Sequence, residues 1–119
     1  MKRFLLIMFG SAMLAACSSA PPRYLADSEP IVNIDAGVAA AIEVKAGAEQ
    51  VGLTNISQRL LALQYQITWY DKDGVTQLKD WSQLPQWVQL ALPPQQREII
   101  GLEKPTRNSS NYRIYIKGH

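Results

Sequence analysis

From Ile31 onward, large apolar residues alternate with polar ones, and a period of two is the mark of half-buried strands. The clearest run is Leu60 to Tyr70. Leu61, Leu63, Tyr65, Ile67 and Trp69 share one face, with Ala62, Gln64, Gln66 and Thr68 on the other. Five large side chains on one face predict a central strand packed on a core, with Tyr65 and Trp69 inside. Asp71-Lys72-Asp73-Gly74 ends the run with residues that a tight hairpin turn prefers, and Val75 to Leu78 is expected to return beside it. Ile31, Val32 and Ile34 make a short first strand, and Gln50 to Asn55 another before the loop Asn55-Ile56-Ser57-Gln58. Residues 79 to 86, with Trp81 and Pro85, read as a connection. Trp87 to Leu92 is a further strand, broken by Pro93-Pro94 because proline cannot donate to a ladder. Arg97 to Leu102 is expected to pair back on it. After a polar loop from Glu103 to Asn111, Tyr112 to Lys117 closes the pattern, with Tyr112, Ile114 and Ile116 facing one way and Arg113, Tyr115 and Lys117 the other.

One stretch reads two ways. Val38, Ala40, Ile42 and Val44 alternate with Ala39, Ala41, Glu43 and Lys45, which favours a strand. The alanines favour a helix, and Asp35 is placed to cap one. Lys45-Ala46-Gly47-Ala48 then reads as a turn. About seven short strands in residues 31–119 point to an all-β fold, an immunoglobulin-like β-sandwich.

The segment before these strands has a different pattern. Lys2 and Arg3 precede an apolar run from Phe4 to Ala16, the build of a secretory signal peptide. The run is too short for a permanent helix across a hydrocarbon core of roughly 30 Å. Leu14-Ala15-Ala16-Cys17 resembles the bacterial lipobox. That resemblance implies that residues 1–16 are removed and that Cys17 becomes the acylated first residue; the bland alternative is an ordinary signal peptide with an incidental Cys17. Two or more acyl chains hold a protein firmly to a bilayer. Residues 17–30 then read as the lipidated cysteine and a Ser/Pro-rich tether, and residues 31–119 as the sandwich. Ser18 after the cysteine, rather than aspartate, implies the outer membrane of a Gram-negative host, with the domain facing the periplasm.

Cleavage also alters the charge. Of twelve Lys and Arg, Lys2 and Arg3 leave with the signal peptide, so the remainder balances the ten Asp and Glu. A neutral domain without a basic stripe offers nothing to nucleic acid, which is bound largely by neutralising phosphates. The single cysteine, Cys17, precludes a disulfide within the chain. The only histidine is His119, at the last position, so no nucleophile–histidine pair is expected. No metal, phosphate or cofactor motif is present, and no catalytic residue is assigned. Asp71 and Asp73 are the nearest approach to a metal or acid–base pair, and they read as turn-formers. The matches to the glycosylation sequon at Asn55 and Asn108 read as chance. Trp81 and Trp87 lie outside the clean alternation. They read either as cover for an open end of the sandwich or as an aromatic platform for a peptide or glycan partner.

The stretch Asn55-Ile56-Ser57, the strand Gln64-Tyr65-Gln66-Ile67-Thr68, the corner Trp69-Tyr70-Asp71-Lys72-Asp73-Gly74 and the closing Tyr112-Arg113-Ile114-Tyr115-Ile116 together resemble the YcfL-like family of periplasmic lipoproteins. The resemblance implies a sandwich fold, an envelope location and no established catalytic residues. Genes of that family often lie beside those for lipoprotein activators of cell-wall synthases, which points toward cell-wall synthesis. The expected function is a non-enzymatic binding or adaptor module, anchored to the membrane at Cys17, whose partner is an envelope protein or cell-wall component. The alternative is a structural or stress-related envelope lipoprotein with no dedicated ligand.

Overall fold

The computed structural model describes residues 29–119. In chain order these form β1 (Ile31–Ile34), α1 (Ala36–Ala39), β2 (Ile42–Ala46), β3 (Gln50–Asn55), β4 (Leu61–Tyr70), β5 (Thr76–Gln77), β6 (Val88–Leu92), β7 (Arg97–Gly101) and β8 (Asn111–Gly118). Two sheets face each other, giving the expected all-β sandwich. In the larger sheet β8 lies between β1 and β4, running parallel to β1 and antiparallel to β4. The far edge of β4 is shared, with β6 along Leu61–Tyr65 and β5 along Trp69–Tyr70. The smaller sheet has the order β2-β3-β7, all antiparallel.

Strand alternation explains the core. Val51 and Leu53 of β3, Leu61, Leu63 and Trp69 of β4, Leu92 of β6, and Tyr112, Ile114 and Ile116 of β8 are buried between the sheets. Burying one such side chain contributes about 1.5–3 kcal/mol, so this shared face is the main source of stability. Trp69 is inside as expected, its ring centroid 4.9 Å from that of Tyr112. Tyr65 is only half-buried. It packs at the rim of the core near Glu98 of β7, and burial first, then that carboxylate, pushes its hydroxyl pKa up.

The ambiguous stretch is both things in sequence. Asp35 O accepts hydrogen bonds from Val38 N and Ala39 N, forming one helical turn that tucks Val38 into the core, although the Asp35 side chain makes no cap bond. Only from Ile42 does the chain run as a strand. The turn is what carries the backbone from the larger sheet into the smaller one, so a continuous strand from Val38 does not form. The other departure concerns β6 and β7, which do not pair with each other. β6 joins β4 and β7 joins β3. Pro93-Pro94-Gln95-Gln96 is a turn closed by Gln96 N donating to Pro93 O at 3.2 Å, with Gln95 at φ 62°. It carries the chain across the sandwich instead of folding it back, and Asn55 N donating to Gln96 O at 2.9 Å holds the far side against β3.

Candidate functional site

Several residues that stand out in the sequence serve the fold. Asn55 is 0% exposed and meets its side-chain capacity in full. Its Nδ2 donates to Leu92 O and Arg59 O, both at 2.8 Å, and its Oδ1 accepts from Ser57 N at 2.8 Å and Ser57 Oγ at 2.6 Å. It thereby ties the end of β3 to the end of β6 in the opposite sheet. Tyr112 does the same elsewhere, its hydroxyl donating to Gly47 O at 2.6 Å across the two sheets. Asp71 Oδ1 accepts from Asp73 N and Val75 N, both at 2.9 Å, while Gly74 takes the left-handed φ of 84° that glycine accepts without strain. The carboxylate of Asp71 is therefore engaged by the turn. Among the described residues no group of three His, Cys, Asp or Glu is placed to hold a metal ion. Cys17 and most of the expected tether lie outside the described residues.

The stretch from Lys79 to Val88 behaves differently. Its loop is ordered locally by Asp80 Oδ1, which accepts from Ser82 N at 2.9 Å and Ser82 Oγ at 2.8 Å. Those bonds hold the Asp80 carboxyl below its ordinary pKa. Gln66 Nε2 donating to Pro85 O at 3.3 Å pins the loop to β4 where that edge lies between β5 and β6. Behind the loop a cleft of about 280 Å³ is lined by apolar groups that include Ile67, Trp69, Leu78, Leu84, Pro85 and Leu102. Outside it, Trp81 is 70% exposed, Leu84 69%, Val88 43% and Trp87 39%. The two tryptophans thus do not roof an open end of the sandwich, and they part company. Trp81 projects from the loop, whereas Trp87 lies on the outer face of the larger sheet.

That outer face contains residues that the sequence reading placed only as the wet side of their strands. Register sets them in transverse rows. Asn33, Tyr115 and Gln66 are cross-strand neighbours on β1, β8 and β4, and Lys117, Gln64 and Gln89 are neighbours on β8, β4 and β6. Trp87 stands one step before Val88, the partner of Tyr65. The Lys117 ammonium sits 4.3 Å from the centre of the Trp87 ring. Arg113, in the next row beside Thr68, donates from Nη1 to the Tyr115 hydroxyl at 3.0 Å and lies 5.6 Å from that ring centre. The hydrogen bond to Tyr115 raises the guanidinium pKa further. Arg113 Nε is buried without a hydrogen-bond partner among the described residues. A groove of about 290 Å³ runs along this face, lined by residues that include Asn33, Asp35, Trp87, Tyr115 and Lys117. The signal in the sequence was the alternation Arg113-Tyr115-Lys117, which puts an aromatic between two cations on one face.

Comparison with known proteins agrees with this architecture. The crystal structure of cj0090 from Campylobacter jejuni is similar to 76% of this chain and all of that one, with a TM-score of 0.57 at 16% identity. A crystal structure of a DUF1425 family member from Shewanella sp. pv-4 covers 66% of this chain and 74% of its own, with a TM-score of 0.52 at 24% identity. An uncharacterised protein of Haemophilus influenzae is 39% identical over 117 residues, spanning 98% of this chain and 100% of the relative. With residues 41–118 matching the family described as protein of unknown function DUF1425, the chain belongs to that family.

Proposed function

We propose that this DUF1425 member is a lipid-anchored, non-enzymatic binding module of the bacterial envelope, held by acyl chains on Cys17 at the outer membrane and facing the periplasm. Within the broader family its place is among the YcfL-like periplasmic lipoproteins. The observation that carries the binding role is the stretch from Trp81 to Val88. Eight large hydrophobic residues are exposed among those described, and four of them, Trp81, Leu84, Trp87 and Val88, fall within those eight positions. Scattered exposed apolar residues are ordinary, whereas half of the exposed large ones falling in one short stretch, two of them tryptophans, supports a place where a partner excludes water. The loop carrying them is pinned to β4, so its side chains are offered without a large ordering cost on association. The anchoring role rests on the lipobox-like Leu14-Ala15-Ala16-Cys17.

The test is crosslinking in intact cells followed by purification of the chain. Wild type is expected to capture an envelope component that Cys17→Ser, freed from the membrane, and Trp81→Ala, folded but without its projecting ring, both lose. Capture equal in all three would remove the anchored-module reading. Capture by none would favour an envelope component without a dedicated ligand.

A further inference from the structure

We infer that the outer face of the larger sheet is a binding site for an acidic polysaccharide, a chain of pyranose rings bearing carboxylates. The inference rests on the reading of this protein as a binding module and names the ligand class of one of its faces.

The composition of the face carries the argument. It offers two aromatic rings, Trp87 on the β6 side and Tyr115 on β8, with the amides of Gln64, Gln89 and Asn33 in the rows around them. Both rings line the same groove, so a short run of sugar rings can touch the two. Aromatic faces take the C–H faces of pyranoses, while primary amides donate to and accept from hydroxyl groups at once. A protein helix or apolar peptide would need a deep anchor pocket for its side chains. This face offers rows of half-exposed polar groups and a shallow groove instead.

Charge selects the acidic class. Lys117 and Arg113 share this face, and among the described residues neither forms an ion pair with a carboxylate; the side-chain ion pair found is the exposed Lys72–Asp73 contact at 3.6 Å in the hairpin. Asp35 is the one carboxylate among the residues that line the groove. Each cation rests instead on a neighbouring ring, a contact worth little at an exposed site. A ligand carboxylate offers Lys117 a charge-assisted bond in its place, and movement of the ammonium off the indole frees that ring for a sugar. An acidic peptide would satisfy the cations but would leave the ring-and-amide rows unused.

The decisive experiment titrates the purified full-length protein with oligogalacturonate and, separately, with the same oligomer fully methyl-esterified, which keeps the rings and removes the charge. The acid form is expected to bind and to quench tryptophan fluorescence, with esterification weakening it about tenfold or more. Trp87→Ala and, independently, Lys117→Gln are each expected to weaken it five- to tenfold with an unchanged melting temperature. Equal binding of acid and ester, equal competition by poly-glutamate, or indifference to both substitutions overturns the inference. No binding of the oligomer, in a protein that still captures a partner through Trp81 in cells, overturns the glycan assignment alone. Failure of both experiments overturns the binding-module reading as well.

Discussion

The two ends where this sandwich is stitched and the side where the 79–88 loop runs treat polar and apolar groups in opposite ways. At the stitched corners, Asn55 and Tyr112 are buried with their hydrogen-bonding groups partnered across the sheets. Along the loop, polar groups bond to near neighbours, as Asp80 does to Ser82, and large apolar side chains are left in water. A buried polar group left unpaired costs about 1–3 kcal/mol, so corners of this kind tolerate little change. An exposed tryptophan contributes almost nothing to folding, so the fold does not account for its being there. The contrast separates residues that hold the fold from residues that meet something else.

The contrast is broken most severely at Asn55. Asn55→Ala takes the side-chain donor from buried Leu92 O, leaves Arg59 O with Ser57 Oγ alone, and opens a gap between the sheets. A loss of about 3 kcal/mol is expected, seen as a fall in melting temperature of roughly 10–20 °C for a domain of this size. A fall of a degree or two would mean that the corner is held by something other than this side chain. Tyr112→Phe keeps the ring against Trp69 and loses only the bond to Gly47, for about 1 kcal/mol.

Tyr112 also makes a pH prediction. Burial raises its pKa, so the folded state holds the phenolic proton more tightly than the unfolded chain does. That contribution is fully present below the ordinary tyrosine value of about 10 and is lost as pH climbs through the raised folded value. Wild type is expected to lose melting temperature above pH 10 more steeply than Tyr112→Phe, with Tyr65 providing a residual slope for the same reason. Parallel curves would exclude Tyr112 as the cause.

A smaller effect tests the hairpin. Asp71→Ala removes the acceptor for two backbone N–H groups in an exposed turn, and chemical denaturation is expected to show a loss of about 1 kcal/mol. The smallest effect on stability sharpens the comparison from its other side. Trp81→Ala should move stability by no more than about 0.5 kcal/mol while reducing crosslinked partner at least tenfold. A large loss of stability would place Trp81 with the corners instead.

Much of this division was legible from residue order. Residue order located β1, β3, β4, β6 and β8 to within a residue or two, most securely β4 and β8, where large apolar side chains recur at every second position. What failed was non-local. Nothing in Trp87–Leu92 or Arg97–Leu102 states that the two strands belong to different sheets. That depends on the left-handed Gln95 turn and on the tie from Asn55 to Gln96, and Asn55 lies some forty residues earlier in the chain. The stretch around Val38 misled because alternation and alanine content were both true of it, each over a different part. For the candidate surfaces, Trp81 and Trp87 were marked by standing outside the pattern, but their separation onto a loop and a sheet face needed coordinates. Arg113, Tyr115 and Lys117 were visible only as a hydrophilic alternation. Their meaning comes from Trp87 and Gln66, which sequence distance hides and strand register supplies.

One further consequence follows from the position of β8 between β1 and β4, and it concerns time. β1, the first strand described, finds its ladder partner in residues 113–116, so it waits through almost the whole of synthesis without a neighbour. β4 likewise lacks its longest pairing until the same segment emerges. Pairings this distant make folding slow and leave strand edges open meanwhile. The domain therefore closes in one late step. A chain stopped at about residue 110 would leave β1 without a partner, β4 without its longest pairing and the core half-exposed, making it a substrate for chaperones and proteases rather than a smaller working module.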